Sequence, residues 1–196
     1  MSEARLKSPL PKVISLPRTR RLAWASVALE YAHQLILAFW VGGLAAVGLL
    51  AVPSLFASIT APSEAAWAGM ELLLKTSFLG AGAGAFLLLT TLLMHLLALR
   101  SIRATLVQTT VLLGMTFAAV TLYVAVAPPL EDLLKTDPTL FTDPTGAGAK
   151  RFVSLHRLGD LLVWAQIALG ASLLLLGVRR WYRYVPTGIR RTALDL

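Results

Sequence analysis

The stretch LEYAHQLILAFWVGG, residues 29–43, begins an apolar run long enough to cross a lipid bilayer, yet it contains an acid, an imidazole and an amide. Four apolar blocks follow one another along the 196-residue chain, each near the roughly 20 residues that span a bilayer as a helix. Only 14% of the residues are charged, against roughly 25% in soluble domains. The sequence therefore predicts an all-α integral membrane protein, a bundle of four transmembrane helices.

The predicted chain has three parts: a basic, proline-containing tail over 1–21, a four-helix transmembrane domain over 22–183, and a tail over 184–196. Proline is expected to end two of the helices, since it cannot donate a backbone hydrogen bond. Pro53 would end the first helix, and Pro128 with Pro129 the third. Residues 128–150 are then the longest connection, and the expected spans are about 29–52, 77–99, 104–127 and 161–178.

The formal net charge is +8, and its placement indicates lipid as the partner. Lys and Arg flank the apolar blocks, and they form no stripe with interleaved aromatic residues, so we expect no nucleic acid partner. Thirteen of them lie in the two tails and the turn near residue 101, against five on the other side. The positive-inside rule then places both termini in the cytoplasm, in a multi-pass protein of the bacterial inner membrane. The absence of cysteine excludes disulfides and thiolate sites.

Five polar residues are predicted to meet near the cytoplasmic side of the bundle. Glu30, His33 and Gln34 share one face of the first helix, because residues three and four apart are neighbours. His95 and Gln108 lie at a similar depth on the second and third helices. Polar groups at this depth are costly unless they face protein or a cavity, so we expect them to converge inside the bundle.

Three interpretations of this cluster remain open from the sequence. The first is a satisfied hydrogen-bond network. The second is a cofactor site in which His33 and His95 ligate haem iron or the magnesium of a chlorin, with Glu30, Gln34 and Gln108 supporting them. The third is a path for protons or metal ions. A structural zinc site is disfavoured, because only two imidazoles and one carboxylate are at hand.

The segment KRFVSLHRLGDLL, residues 150–162, forms a second polar group on the outer side. His156 and Asp160 are four residues apart on a helix, and Asp160 could pair with His156, Arg157 or Arg151. The segment is either an interfacial collar or an outward-facing recognition or ion site.

Small residues predict where helices touch, since close backbone approach drives helix association in lipid. The expected packing positions are Gly42, Gly43, Gly80, Gly84 and Gly170.

Several short motifs resemble the bacterial domain of unknown function 4149, a membrane family related to the transmembrane protein 205-like proteins. They are FWVGG at 39–43 followed by VPSLF at 52–56, AGM at 68–70, Pro128, and RFVSLHRL at 151–158 with its Phe–x–x–x–His spacing. The resemblance extends over most of residues 29–178. Members commonly follow this histidine with small polar residues, whereas Gly159 and Asp160 stand here.

A second resemblance covers the first helix alone. HQLILAFWVGG, residues 33–43, is similar to the opening of copper-resistance D membrane domains and of HemJ-type protoporphyrinogen oxidases, which share His–x6–Trp followed by small residues. HemJ-type proteins bind haem, so the likeness implies a haem-ligand role for His33.

The sequence contains no nucleotide-binding glycine loop, zincin helix or serine nucleophile elbow. The leading prediction is therefore a non-catalytic integral membrane protein, an accessory or structural subunit that packs with other membrane subunits in a larger complex. The alternative is a haem- or chlorin-binding redox or metal-handling protein that uses His33 and His95. A small ion or metal transporter is the second alternative.

Overall fold

The computed structural model describes the backbone of residues 17–97, 101–137, 140–143 and 145–184, and within these ranges the side chains of Ala25 and of residues 27–179. Residues 1–16 and 185–196, which make up most of the two predicted tails, lie outside the described residues. Across the described ranges the chain is almost entirely helical and has no strand.

Six α-helices and two π-helical turns follow one another along the described chain. Four stretches are long and apolar enough to cross a membrane, namely Val27–Ser58, Pro62–Leu96, Ile102–Thr136 and Ala147–Arg179. This confirms the predicted all-helical fold with four helices of spanning length. The elements are α1 Pro17–Ala46, a π turn Val47–Ala51, α2 Val52–Ser58, α3 Pro62–Leu96, α4 Ile102–Thr121, a π turn Leu122–Val126, α5 Ala127–Thr136 and α6 Ala147–Tyr184.

Helix starts follow ordinary local chemistry. Pro62 opens α3, where the missing N–H costs nothing, and Glu64 lies in the same first turn, near the positive end of the helix dipole. Ser101 caps α4, because its hydroxyl accepts a hydrogen bond from the backbone N–H of Ala104. Helix α1 already begins at Pro17, so residues 17–21 of the predicted tail belong to it.

The prolines do not end the helices, contrary to the prediction. A proline ring clashes with the carbonyl four residues earlier, which is that of Leu49 for Pro53 and that of Val124 for Pro128. Both carbonyls lie in a π turn, where each N–H reaches back five residues and the turn is wider. The wider turns accommodate the rings, so the helical path continues through α2 and α5 into regions predicted to be loops.

The four long helices form a ring in which α1 packs on α3 and α6, and α4 packs on the same two helices. Consecutive long helices are joined at alternate ends and are therefore antiparallel. We call the end where α1 begins and α6 ends the terminal end, and the opposite end, with the α2–α3 and α5–α6 connections, the loop end. The core between them is apolar, and its large, almost fully buried side chains include Leu37, Leu44, Leu87, Leu112, Met115, Leu122 and Val126.

Three of the predicted packing glycines lie at close helix contacts. A Cβ at Gly80 would lie 2.6 Å from Nε1 of Trp40, and one at Gly170 would overlap Val41. A Cβ at Gly84 would overlap the hydroxyl of Thr116. The backbones can approach at these points only because no side chain stands between them.

The structure corrects the prediction for Gly42 and Gly43. A Cβ at either position would meet nothing within 4 Å, so contacts within this chain do not require glycine there. Gly42 faces outward from α1, and Gly43 is half-buried beside the core.

We expect Gly84→Ala to destabilise the fold by about 1–2 kcal/mol. Overpacking costs about 1–3 kcal/mol, and alanine returns at most about 1 kcal/mol of helix propensity. Thr116 cannot easily turn aside, because its hydroxyl donates to the carbonyl of Leu112 at 2.8 Å. The control is Gly82→Ala, since a Cβ at Gly82 meets nothing within 4 Å. Denaturant unfolding in detergent should show loss for the first variant and none for the second; equal effects would contradict the packing described.

Candidate functional site

The polar face of α1 lies inside the bundle near the terminal end, where it meets α3 and α4. His33 has no exposed surface, and Glu30 and Gln34 beside it are half-buried. A buried imidazole is stable only when its ring nitrogens are hydrogen-bonded, so the partners of His33 decide what this cluster does.

Both ring nitrogens of His33 are bonded to the neighbouring helices. Nδ1 lies 2.8 Å from Oγ1 of Thr90 on α3, and Nε2 meets the amide nitrogen of Gln108 on α4. The amide nitrogen only donates, so Nε2 accepts and the proton of the neutral ring is on Nδ1. That N–H donates to Thr90, whose own hydroxyl donates to the carbonyl of Leu87 at 3.0 Å. One consistent set of donors and acceptors therefore links α1, α3 and α4.

The structure does not join His33 to His95. His95 lies in the last turn of α3, and its buried Nδ1 has no hydrogen-bond partner among the described residues. Gln34 packs on α6, where a Cβ at Gly177 would lie 2.5 Å from its amide nitrogen, and it lines a small pocket with Gln108. The hydrogen-bonded centre of the cluster is thus His33, Thr90 and Gln108, with Gln34 alongside and Glu30 half-buried about one turn away on α1.

This geometry favours the satisfied network over a cofactor site. An axial haem ligand needs a ring nitrogen with a free lone pair, and in His33 one nitrogen carries the proton while the other accepts from Gln108. Ligation by His33 would require Gln108 to withdraw. Among the described residues, no group of three His, Asp or Glu side chains is placed to hold a metal ion.

Thr90 is the member of this network that sequence reasoning missed. It stands in LLLTTLLM, residues 87–94, where threonine is tolerated because its hydroxyl bonds a carbonyl of the preceding turn. The usable signal was its position, since Thr90 lies little more than one turn before His95 and within the predicted polar layer.

A second polar group lies at the loop end, on the first half of α6. Nε2 of His156 is 3.7 Å from Oδ2 of Asp160, which is too long for a hydrogen bond but close enough for an ion pair when the ring is protonated. The ring stacks on Phe152 with centroids 6.0 Å apart and planes 7° from parallel. Phe141 packs edge-on against Phe152 at 5.8 Å. Arg151 and Arg157 are exposed on the same helix.

His156 and Asp160 line a cavity of about 420 Å³. Its other walls are apolar and come from the end of α1, the first π turn, α2, α3, α5, the α5–α6 connection and α6. The size falls within the roughly 300–1,000 Å³ of small-molecule sites. The sequence predicted the polar pair but not the cavity, because the cavity depends on the π turns and on α5, which were both predicted otherwise.

Three polar atoms in the middle of the bundle have no hydrogen-bond partner among the described residues. They are Nε1 of Trp40, Oγ of Ser77 and Oε1 of Gln166. Trp40 Nε1 lies against α3 at Gly80, one turn from Ser77. Unsatisfied buried groups cost free energy, so these three atoms lower the stability that the middle of the bundle can contribute.

We expect Thr90→Val to destabilise the protein by about 1–3 kcal/mol, because the isosteric change leaves the buried Nδ1–H of His33 without an acceptor. Thr110→Val on the exposed face of α4 is the matched control and should change stability by less than about 0.5 kcal/mol. The measurement is the free energy of unfolding in detergent micelles. Indistinguishable variants would show that the bond between His33 and Thr90 is not formed.

Comparison with protein-family models, curated proteins and solved structures finds no match to this chain. The two resemblances described above therefore stay predictions, and what can be said of function rests on the geometry.

Proposed function

We propose that the chain is a four-span protein of the bacterial inner membrane, with both termini in the cytoplasm, and that it serves as a non-catalytic accessory subunit of a larger membrane complex. The observation that carries this proposal is an outward-facing stripe of small residues on α1, in a helix whose remaining outer surface is apolar.

The outer surface of the bundle supports insertion into lipid. Each long helix exposes large apolar side chains to the outside, for example Phe39 at 72%, Leu79 at 69%, Phe117 at 72% and Leu161 at 66%. Transfer of each such side chain from water to an apolar medium is worth about 1.5–3 kcal/mol. Soluble monomers rarely expose contiguous apolar surfaces of this extent.

The distribution of basic residues supports the orientation. Thirteen Lys and Arg residues lie in the two tails and the turn that holds Arg103. The loop end has five, namely Lys75, Lys135, Lys150, Arg151 and Arg157, and it also has most of the acids. The positive-inside rule places the terminal end in the cytoplasm.

Ala38, Gly42 and Ala46 form the small-residue stripe. They are spaced four apart, and all three are exposed on α1. Stripes of this spacing let a second helix approach closely in lipid. Among the described residues, nothing lies within 4 Å of a Cβ placed at Gly42, in the centre of the stripe. A helix of another membrane subunit is the partner that it fits.

The buried polar groups support a non-catalytic role. Both ring nitrogens of His33 are hydrogen-bonded within the protein, which supports a structural role for this residue. Its hydrogen bonds serve to hold three helices together.

The orientation is testable with single cysteines, since the chain has none. Ile102→Cys and Ala147→Cys alter exposed residues at opposite ends of the bundle. A membrane-impermeant maleimide should label Ala147→Cys in spheroplasts and label Ile102→Cys only after lysis. The reverse pattern would invert the topology, and labelling of both in intact spheroplasts would contradict insertion.

We expect Gly42→Leu to release the chain from its complex without unfolding it, since none of the described residues has an atom within 4 Å of a Cβ there. Gly82→Leu is the matched control, because Gly82 is equally open but stands between the exposed Phe78 and Phe86. The measurement is the mass and composition of particles extracted with lipid by polymer, at native expression. Wild type and Gly82→Leu should migrate with other polypeptides, and Gly42→Leu as a free monomer. A wild-type protein found only as a monomer or as a homodimer would contradict the proposal.

A further inference from the structure

We propose that the cavity at the loop end binds an isoprenoid quinone drawn from the membrane. The inference concerns a different part of the molecule from the small-residue stripe on α1, and it does not depend on the identity of any partner subunit.

The cavity opens toward the apolar exterior of the bundle. Leu49, Phe56 and Trp164 line it and are also 53%, 48% and 53% exposed. They come from the first π turn, α2 and α6, so the mouth lies between the end of the first helical path and α6. A ligand dissolved in lipid can enter there without crossing a polar surface.

The lining excludes a strongly charged head group. Of the described residues around the cavity, only His156 and Asp160 carry ionisable groups, and they face each other. A carboxylate or phosphate would find no lysine or arginine in the wall, and burying an unpaired charge is costly. The head group that fits is polar but uncharged.

The His156–Asp160 pair offers one donor and one acceptor to such a head group. At 3.7 Å the two groups are not hydrogen-bonded to each other, so a ring N–H of His156 can donate to a ligand carbonyl while Asp160 can accept from a ligand hydroxyl. A quinone presents carbonyls, and its quinol presents hydroxyls. Either form finds a matching group in this pair.

The aromatic side chains beside the pair favour a flat ring over an aliphatic head. Phe141, Phe152 and His156 form a contiguous group with centroids 5.8 and 6.0 Å apart, within the spacing at which aromatic rings stack. The rest of the wall is largely aliphatic, including Leu44, Val52, Leu73 and Leu130, and it suits an isoprenoid chain. A quinone combines these two parts with the uncharged polar groups.

The test uses the full chain in nanodiscs of phosphatidylcholine and decylubiquinone as the probe. Bound quinone should quench the fluorescence of Trp164 in a saturable way, and Trp164→Phe should remove that component. Gly48→Phe should abolish saturable binding, because it fills the mouth while its Cβ stays 4.0 Å from Val163. Gly82→Phe, outside the cavity and equally open, should bind as wild type does.

His156→Phe tests the polar contact without a core substitution, since the side chain is exposed and the ring stack on Phe152 is kept. Loss of one hydrogen bond should weaken binding about two- to tenfold. If Gly48→Phe fails to fold, His156→Phe and Trp164→Phe still test whether the quinone binds in the cavity.

Competition with farnesol and with laurate tests two other classes of ligand for the cavity, isoprenoid alcohols and fatty acids. Neither should displace decylubiquinone, because farnesol has no ring and laurate carries a charge. Displacement by farnesol would assign the cavity to isoprenoid alcohols, and displacement by laurate to fatty acids; either would overturn the proposal. Linear quenching, equal in wild type and Gly48→Phe, would show that the quinone only dissolves in the bilayer.

Discussion

A histidine without exposed surface must have both ring nitrogens bonded, and this requirement at His33 sets the arrangement of the bundle. The two partners, Thr90 and Gln108, stand on different helices. A helix residue advances about 1.5 Å and turns about 100°, so a shift of one residue in α3 or α4 would carry the partner away. The same register brings Gly84 against Thr116, about two turns from Thr90 and from Gln108. The network and the close packing therefore require the same alignment of helices.

Much of this fold could be predicted from the sequence, because an apolar block of spanning length can form few stable structures other than a membrane-spanning helix. The number of long helices and the turn at Ser101 follow from block length and from charge. Gln108 was among the residues predicted to meet His33, but which members of that layer bond to its ring could not be predicted. Glu30, His95 and Gln108 were all at the right depth, but depth does not give the rotation of a helix about its axis. Only the packed structure selects Thr90, a residue that polarity alone does not mark.

The two ends of the bundle differ in how closely their interiors are packed. At the terminal end, the ring nitrogens of His33 are satisfied within the protein and Gln34 packs closely on Gly177. At the loop end, the helical paths widen at the π turns and leave a cavity of about 420 Å³. An apolar molecule in this cavity would make dispersion contacts along its walls.

The two places where the helix prediction was wrong both border that cavity. Sequence reasoning ended two helices at Pro53 and Pro128, and at both places the chain instead forms a π turn and continues. The first π turn supplies Val47, Gly48 and Leu49 to the cavity wall, and the helix after the second supplies Leu130 and Leu134. π turns occur frequently at functional sites, and local rules tend to fail where a fold has been shaped for binding. Straight helices ending at these prolines would have left no wall there, so the same irregularity that defeats the prediction builds the pocket.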